Sequence, residues 1–205
     1  MPTRVWLMRH AETARPGIFH GAESDVDLSD RGHHQVAAVA PVIAAYRPDG
    51  VVSSGMLRAR RTAAPFAAAC GLPLHIEPAL HERRVGSLVG EPVNPDLGIW
   101  PDTLRRWVEG DTAYAPPGAE SFDDVRGRVL PVWQRLTQQF ADRSLLIVAH
   151  GIVCRVLLLS LLDGYSVADW TKLGRIHNLA VSELVLAGES WQAVRLGEIP
   201  TAVKQ

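Results

Sequence analysis

Four places in the sequence put reactive or cationic side chains directly after an apolar run or at a turn into a helix. They are Arg9 with His10, Arg58, Glu82, and His150 with Gly151. Each place alone is compatible with a structural role, because such residues often serve as hydrogen-bonding or solvated side chains. However, two of the apolar runs, one near each end of the chain, both terminate in a histidine. Parallel strands placed side by side would bring these histidines to one edge of a sheet, where α/β proteins place their chemistry.

The composition is that of an ordinary globular chain of 205 residues, with 47% hydrophobic residues, 21% charged residues and a formal net charge of -1. This length suits one domain with a substantial core, so we expect a single domain over residues 1–205. A net charge near zero provides no global attraction for polyanions, so we expect neither nucleic acid nor a membrane as a partner. Any anion site must therefore be local.

Two further features concern the cellular environment. The only cysteines, Cys70 and Cys154, lie far apart and form no CxxC pair. They indicate neither a disulfide framework nor a zinc site, and they favour a reducing cytoplasm. The N-terminal segment lacks the pattern of a signal peptide, and the apolar run at residues 152–162 is too short to span a bilayer.

Strand and helix patterns alternate along the chain, which favours a layered α/β domain over a helix bundle or a β-sandwich. The predicted strands are residues 4–8, 50–53, 74–76, 145–149, 181–186 and 191–195. The predicted helices are residues 35–46, 57–70, 122–140 and 152–162. Ser29 is a potential N-cap ahead of the first helix. Asp123 and Asp124 lie in the first turn of the helix predicted at residues 122–140, where the helix dipole favours negative charge.

The segment from Glu82 to Pro117 has no clear period. Prolines and glycines recur in it, which predicts an irregular excursion with at most a short helix around residues 103–108. Excursions of this kind commonly form a lid or a wall that determines specificity.

Taken together, the polar residues lie in motifs that resemble those of the histidine phosphatase superfamily, also called the phosphoglycerate mutase-like family. The family's RHGE-T/S motif is similar to RHAET at residues 9–13, and its SS-x-L-x-R-A-x-x-T-A motif is similar to SSGMLRARRTA at residues 53–63. Four more family segments are matched in order by HGAESDVDLSDRGHHQ, ALHERRVGSLVG, PPGAESFDDVRGRV and VAHGIVCRV. The resemblance covers nearly the whole chain and implies a three-layer α/β/α sandwich with a mostly parallel central sheet.

The resemblance also implies a role for each residue of the predicted site. His10 would attack the phosphorus of a phosphate monoester through a ring nitrogen that carries no proton, and phosphohistidine would form. Arg9 and Arg58 would hold phosphate oxygens with forked donors. His150 and the backbone amide of Gly151 would stabilise the phosphoryl group during transfer.

Three more residues receive roles by resemblance. Glu82 matches the family's general acid, which protonates the leaving group and then acts as a base on water. Gly21 and Arg83 are candidate substrate contacts. No metal and no cofactor are expected, because the arginines and histidines supply the positive field that magnesium supplies elsewhere.

Three further features of the sequence bear on the predicted phosphatase site. His20, His33 and His34 could suggest a metal site, but adjacent histidines at a helix start do not easily point at one ion. Ala11 stands where the family usually has glycine, which would strain the turn if it required a positive φ. Arg15-Pro16-Gly17 stands where several members have an asparagine, so that polar contact is lost or supplied differently.

We therefore expect a metal-independent, histidine acid-type phosphatase that hydrolyses a small phosphorylated metabolite. Three alternatives stay open: a phosphoglycerate mutase, a protein phosphohistidine phosphatase and a non-catalytic phosphate-binding module. Arg83 suits a mutase, but Val85 stands where mutases have a tyrosine, and the RHA variant occurs in small members that act on phosphohistidine proteins. The sequence leaves open the natural substrate and whether the chain forms a homodimer.

Overall fold

The computed structural model describes residues 2–94 and 96–203 of the chain. Within these residues, six strands form one sheet: β1 (Arg4–Arg9), β2 (Gly50–Ser54), β3 (Leu74–Glu77), β4 (Ser144–Ala149), β5 (Val181–Ala187) and β6 (Ser190–Glu198). The α-helices of the same residues are α1 (Asp30–Ala45), α2 (Leu57–Cys70), α3 (Ile99–Val108), α4 (Phe122–Gln139) and α5 (Gly151–Leu161). None of these helices combines the length and the apolar character that crossing a bilayer requires.

The sheet has the strand order β3-β2-β4-β1-β5-β6. The first four strands in this order are parallel, β5 pairs antiparallel with β1, and β6 pairs antiparallel with β5. The prediction of an α/β fold with a mostly parallel central sheet is therefore confirmed.

The side chains of β1 show why this strand is apolar over its whole length. Val5 and Leu7 pack into a core formed with α4 and α5, whereas Trp6 and Met8 pack into a second core formed with α1 and α2. Because both faces of the strand are buried, its sequence is a continuous apolar run rather than an alternating one. Helices thus cover both faces of the sheet and complete the three layers.

Two helices begin several residues earlier than predicted, whereas α5 begins only one residue earlier, at Gly151. α1 begins at Asp30 rather than residue 35, because the Ser29 hydroxyl accepts a hydrogen bond from the Gly32 amide at 2.9 Å and so caps the helix. α3 begins at Ile99 rather than residue 103, which places Pro101 in its first turn. A proline is tolerated there, because its missing N–H has no partner within the helix.

The excursion after Glu82 contains α3 and a 3₁₀ turn at Gly86–Leu88. Its backbone is joined to the loop that follows β1. The Phe19 amide donates to the Glu91 carbonyl oxygen at 2.9 Å, the Gly90 amide to that of Phe19 at 2.8 Å, and the Val93 amide to that of Gly17 at 2.8 Å. The excursion is therefore anchored beside the loop that carries His10.

Candidate active site

The ends of β1 and β4 bring the two predicted histidines together. These strands are parallel neighbours with Arg9 opposite Ala149, so His10 and His150 leave the sheet at the same level. Their ring centroids lie 5.2 Å apart with an interplanar angle of 60°, and both imidazoles are buried. The site thus lies at the carboxyl edge of the parallel strands.

The backbone fixes the tautomer of His10. Its Nδ1 lies 2.7 Å from the Ala11 carbonyl oxygen, and because a carbonyl only accepts, Nδ1 carries the proton. Burial, and then the charges of Arg9 and Arg58, hold the pKa of His10 well below its ordinary value. His10 is therefore a neutral imidazole at neutral pH, with a free electron pair on Nε2.

The turn after His10 accommodates alanine without strain. Ala11 lies outside the positive-φ region. Its amide donates to the Thr62 hydroxyl at 3.0 Å, and that hydroxyl donates to the Arg58 carbonyl oxygen at 2.8 Å. The side-chain amide of Asn178 donates to the His10 carbonyl oxygen at 2.9 Å. No sequence motif points to Asn178, because this residue follows an irregular loop with no pattern of its own.

Backbone carbonyls hold the two arginines of the site. Arg58 donates through Nη1 to the Ser24 carbonyl oxygen at 2.9 Å and through Nη2 to that of Gly21 at 2.8 Å. Arg9 donates through Nη1 to the Ile176 carbonyl oxygen at 2.7 Å, and its buried Nε has no partner among the described residues. Within the described part of the chain, neither guanidinium forms an ion pair with a carboxylate. Their charges are thus available to an anion.

Gly21 supports Arg58 through its backbone. It has φ 57, and a Cβ at this position would lie 2.3 Å from Glu23 Oε2 and 2.6 Å from Val85 Cγ2. Only glycine fits such a conformation and such a close approach. The structure therefore gives Gly21 a supporting role, while its contact with substrate stays a prediction.

Glu82 lies at the N-terminus of α5, beside the second histidine. Its Oε1 accepts from the Arg83 amide at 2.8 Å, and its Oε2 accepts from the Ile152 amide at 3.2 Å. The same N-terminus packs near Arg9, because a Cβ on Gly151 would lie 3.5 Å from Arg9 Nε. The structure thus brings Glu82 and Gly151 to the site of the arginines and histidines.

His150 is held by a serine to which the sequence motifs give no role of its own. Its Nε2 lies 2.8 Å from the hydroxyl of Ser54, at the end of β2, and its buried Nδ1 has no partner among the described residues. Burial and then the charge of Arg58 hold the pKa of His150 well below its ordinary value. Ser54 lies inside the matched SSGML motif, and the motif was the only signal that pointed to it.

Arg83 lies behind Glu82 and is fully buried. Its Nε donates to the Glu120 carbonyl oxygen at 2.7 Å, and its Cζ lies 5.3 Å from the ring centroid of Trp100 and 5.0 Å from that of Trp107. Burial lowers the pKa of Arg83 to about 10. Its Nη2 is without a partner within residues 2–94 and 96–203, and its predicted contact with substrate stays a prediction.

An aromatic cluster joins three segments around the site. Trp100 of α3 lies 6.2 Å from Phe19, 5.7 Å from Trp107 and 6.0 Å from Trp170, measured between ring centroids. These residues come from the loop after β1, from the excursion and from the segment after α5. The cluster therefore packs α3 against the loop after β1 and against the segment after α5.

Two of the three histidines considered as metal ligands, His20 and His33, have other partners. His20 lies 3.1 Å from the Ser24 hydroxyl and 2.8 Å from the Arg15 carbonyl oxygen, and His33 lies 3.7 Å from an oxygen of Asp27. Among the residues that the structure describes, no group of three or more His, Cys, Asp or Glu side chains is arranged to hold a metal ion.

The fold and the site define an α/β protein with paired histidines at the carboxyl edge of its sheet and, beside them, two arginines that form no ion pair within the described residues. A family model described as the histidine phosphatase superfamily, branch 1, matches residues 5–199. The chain belongs to this superfamily, which confirms the resemblance seen in the sequence.

Named relatives and a solved structure agree with this assignment. Glucosyl-3-phosphoglycerate phosphatase from Mycolicibacterium vanbaalenii is 34% identical over 195 residues, which cover 91% of this chain and 85% of the relative. Metal-independent phosphoserine phosphatase from Arabidopsis thaliana is 29% identical over 201 residues, covering 92% and 79%. The native structure of mycobacterial glucosyl-3-phosphoglycerate phosphatase matches with a TM-score of 0.81 at 27% identity, covering 95% of this chain and 98% of that one.

Proposed function

We propose that this chain is a phosphatase that hydrolyses the phosphate monoester of a small metabolite through a phosphohistidine on His10. The observation that carries the proposal is the state of His10. Its Nδ1 proton is committed to the Ala11 carbonyl oxygen, so Nε2 is free to attack. Burial, and then the charges of Arg9 and Arg58, lower the pKa of His10, and these two arginines are the cations that a phosphate dianion requires.

In the first half-reaction, Nε2 of His10 attacks phosphorus and the bond from phosphorus to the ester oxygen breaks. Arg9 and Arg58 hold the peripheral oxygens, and His150 and the α5 N-terminus stabilise the charge in transfer. Glu82, in its protonated form, gives its proton to the departing oxygen. An alcohol leaves, and phosphohistidine and the Glu82 carboxylate remain.

In the second half-reaction, the Glu82 carboxylate takes a proton from a water molecule as the water oxygen attacks phosphorus. The bond between phosphorus and Nε2 breaks, so His10 recovers its electron pair and inorganic phosphate forms. Glu82 is again protonated and the cycle is balanced. In the resting protein, the two carboxylate oxygens of Glu82 accept hydrogen bonds from the Arg83 and Ile152 amides, which hold the group at the N-terminus of α5.

The proposed substrate class is a small phosphate ester that carries a carboxylate. Two considerations support it: the substrates named for the relatives, glucosyl-3-phosphoglycerate and phosphoserine, both carry a carboxylate, and Arg83 holds a buried cation next to Glu82. The excursion at residues 82–117 is proposed to form one wall of the substrate pocket. Gly21 is proposed to line the part of the pocket that binds the phosphate group.

The test is rapid quenching of the enzyme with a labelled phosphate ester such as p-nitrophenyl phosphate. We expect an acid-labile, base-stable phosphoenzyme and released inorganic phosphate, with activity that survives a chelator. His10→Ala should abolish both, while His34→Ala, which changes an exposed histidine of α1, should abolish neither.

The competing functions predict other outcomes. A binding module gives no phosphoenzyme from any ester. A mutase interconverts 2- and 3-phosphoglycerate faster than it releases phosphate. A protein phosphohistidine phosphatase acts on a phosphorylated histidine-containing domain and leaves the phosphate monoesters of small metabolites intact.

The environment of the protein also remains a prediction. Cys70 and Cys154 are free cysteines, which is consistent with the reducing cytoplasm predicted from the sequence. Cell fractionation tests that location, and light scattering of the purified protein tests whether it forms a homodimer. Neither nucleic acid nor membrane is part of the proposed function.

A further inference from the structure

We propose that Ser54 is a positioning residue that fixes the tautomer of His150, so that the proton of this imidazole sits on Nδ1. The catalytic consequence rests on the proposed function, because His150 can then donate that N–H to the transferring phosphoryl group. The tautomer itself is a property of the resting protein and can be measured without substrate.

The hydrogen bonds around Ser54 decide the direction of its contact with His150. Ser54 is fully buried at the end of β2. Its oxygen accepts the Met56 amide proton at 3.3 Å and lies 2.8 Å from His150 Nε2. Among the described residues, the imidazole is the only acceptor within reach of the Ser54 hydroxyl proton. Ser54 therefore donates to Nε2, and Nε2 carries no proton.

The opposite arrangement leaves more groups unsatisfied. If Nε2 carried the proton and donated to Ser54, both the hydroxyl proton of Ser54 and the Nδ1 electron pair of His150 would be buried without a partner. With the proton on Nδ1, only that N–H is unpaired in the resting protein. An unpaired buried polar group costs about 1–3 kcal/mol, so the arrangement with one such group is favoured over that with two.

The remaining N–H has a use at this position. A phosphoryl group offers only acceptor oxygens, so an imidazole stabilises it only through an N–H. The ring centroids of His150 and His10 lie 5.2 Å apart, and Nδ1 is the ring nitrogen of His150 without a partner among the described residues, so a phosphoryl group on His10 is the acceptor that we assign to it. With the other tautomer, Nδ1 would direct an electron pair instead of a donor. Ser54 thus acts on the reaction through His150 and touches no reacting atom.

The neighbouring serine provides a matched control. Ser53 lies on the same strand and is also fully buried, but its hydroxyl donates to the Ser54 carbonyl oxygen at 2.9 Å and not to an imidazole. Ser53→Ala therefore removes a buried hydroxyl from β2 without removing a partner of His150. Ser54→Thr keeps a hydroxyl at the position under test.

The experiment is a long-range ¹H–¹⁵N correlation spectrum of ¹⁵N-histidine-labelled protein at neutral pH, with the His150 signals assigned by their loss in His150→Gln. We expect the Nδ1–H pattern for His150 in the wild type, in Ser53→Ala and in Ser54→Thr. In Ser54→Ala we expect a mixture or the Nε2–H pattern. For p-nitrophenyl phosphate, kcat in Ser54→Ala should fall with the share of the Nδ1–H tautomer that is lost, by up to about 100-fold, the loss expected when one preorganised donor is removed, with a small change in KM.

Three results would overturn the inference: an Nε2–H pattern for His150 in the wild type, an unchanged pattern in Ser54→Ala, or equal losses of kcat in Ser53→Ala and Ser54→Ala. The wild-type spectrum decides the question even if Ser54→Ala does not fold. Failure of the proposed function has a different signature, namely no phosphoenzyme from a wild type whose His150 shows the expected tautomer.

Discussion

The Nδ1 atom of His10 lies 2.7 Å from the carbonyl oxygen of Ala11, so the nucleophile is oriented by the backbone of the residue that follows it. A backbone carbonyl provides this contact whatever side chain the next residue carries. This explains how alanine can occupy a position where the family usually has glycine. The turn needs the carbonyl in place, and Ala11 supplies it without a positive φ.

The stability of the protein is expected to fall as the pH drops below the ordinary histidine pKa of about 6.5. His10 and His150 have folded pKa values well below that value, so the unfolded chain binds protons there that the folded chain does not. Each such group removes up to ~1.4 kcal/mol of unfolding free energy per pH unit below that point. Urea unfolding at two pH values on either side of it measures the loss.

His10→Gln should reduce the loss of unfolding free energy at low pH by up to the share of one histidine. His34→Gln, on the exposed face of α1, should leave that loss unchanged. An equal pH dependence in the wild type and in His10→Gln would contradict the lowered pKa of His10.

Glu82→Gln should separate substrates by their leaving groups. An alkyl phosphate needs a proton on its departing oxygen, so its kcat should fall by about 10²-fold to 10⁴-fold. The kcat for p-nitrophenyl phosphate should fall much less, because nitrophenolate departs without a proton. Steady-state kinetics with both esters make the comparison, with Glu189→Gln in the β5–β6 turn as the control. Equal losses for the two esters would show that Glu82 is not mainly an acid.

Arg58→Lys should weaken inhibition by vanadate, which imitates five-coordinate phosphorus. Lysine keeps the charge but cannot reproduce the guanidinium fork that is held by the carbonyls of Ser24 and Gly21. Loss of one charge-assisted hydrogen bond corresponds to an increase of about 10-fold to 100-fold in the inhibition constant. Arg60→Lys, at an exposed position of the same helix, should leave the constant unchanged. Similar changes of the vanadate inhibition constant in both variants would contradict the assignment of Arg58 as a phosphate-binding residue.

Arg83→Met should destabilise the fold as well as change the site. It removes the hydrogen bond to the Glu120 carbonyl oxygen and the contacts with Trp100 and Trp107. We expect a loss of about 2–4 kcal/mol in unfolding free energy, measured by urea titration. Arg84→Met changes the neighbouring exposed arginine and should cost less than about 0.5 kcal/mol. Indistinguishable losses would mean that the buried guanidinium does not anchor α3.

The fold was predictable wherever the local pattern of apolar residues indicates which side chains are buried. β1 and β4 are apolar along their length because both faces are covered, and this made the strand ends, with His10 and His150 directly after them, visible in the sequence. The bounds of α2 were predicted as observed, because its alanines and apolar residues repeat at helical spacing up to Gly71, which has φ 68 as a helix end favours.

The contacts that tune the site were not predictable in the same way. The bond between Ser54 and His150 joins residues far apart in the chain, and nothing local to either residue indicates it. The packing of Arg83 against Trp100 and Trp107 depends on how an irregular segment folds back, and no period marks such a segment. Tertiary proximity, rather than local propensity, determines these partners.

The order of the strands has a consequence for biogenesis. β1, which leads to His10, and β2, which leads to Ser54 and Arg58, are not neighbours, since each pairs with β4 between them. As the nascent chain leaves the ribosome, β1 and β2 can be joined into one sheet only after residues 144–149 have been made. The pocket is thus assembled late, because the strand that joins these two early strands also delivers His150.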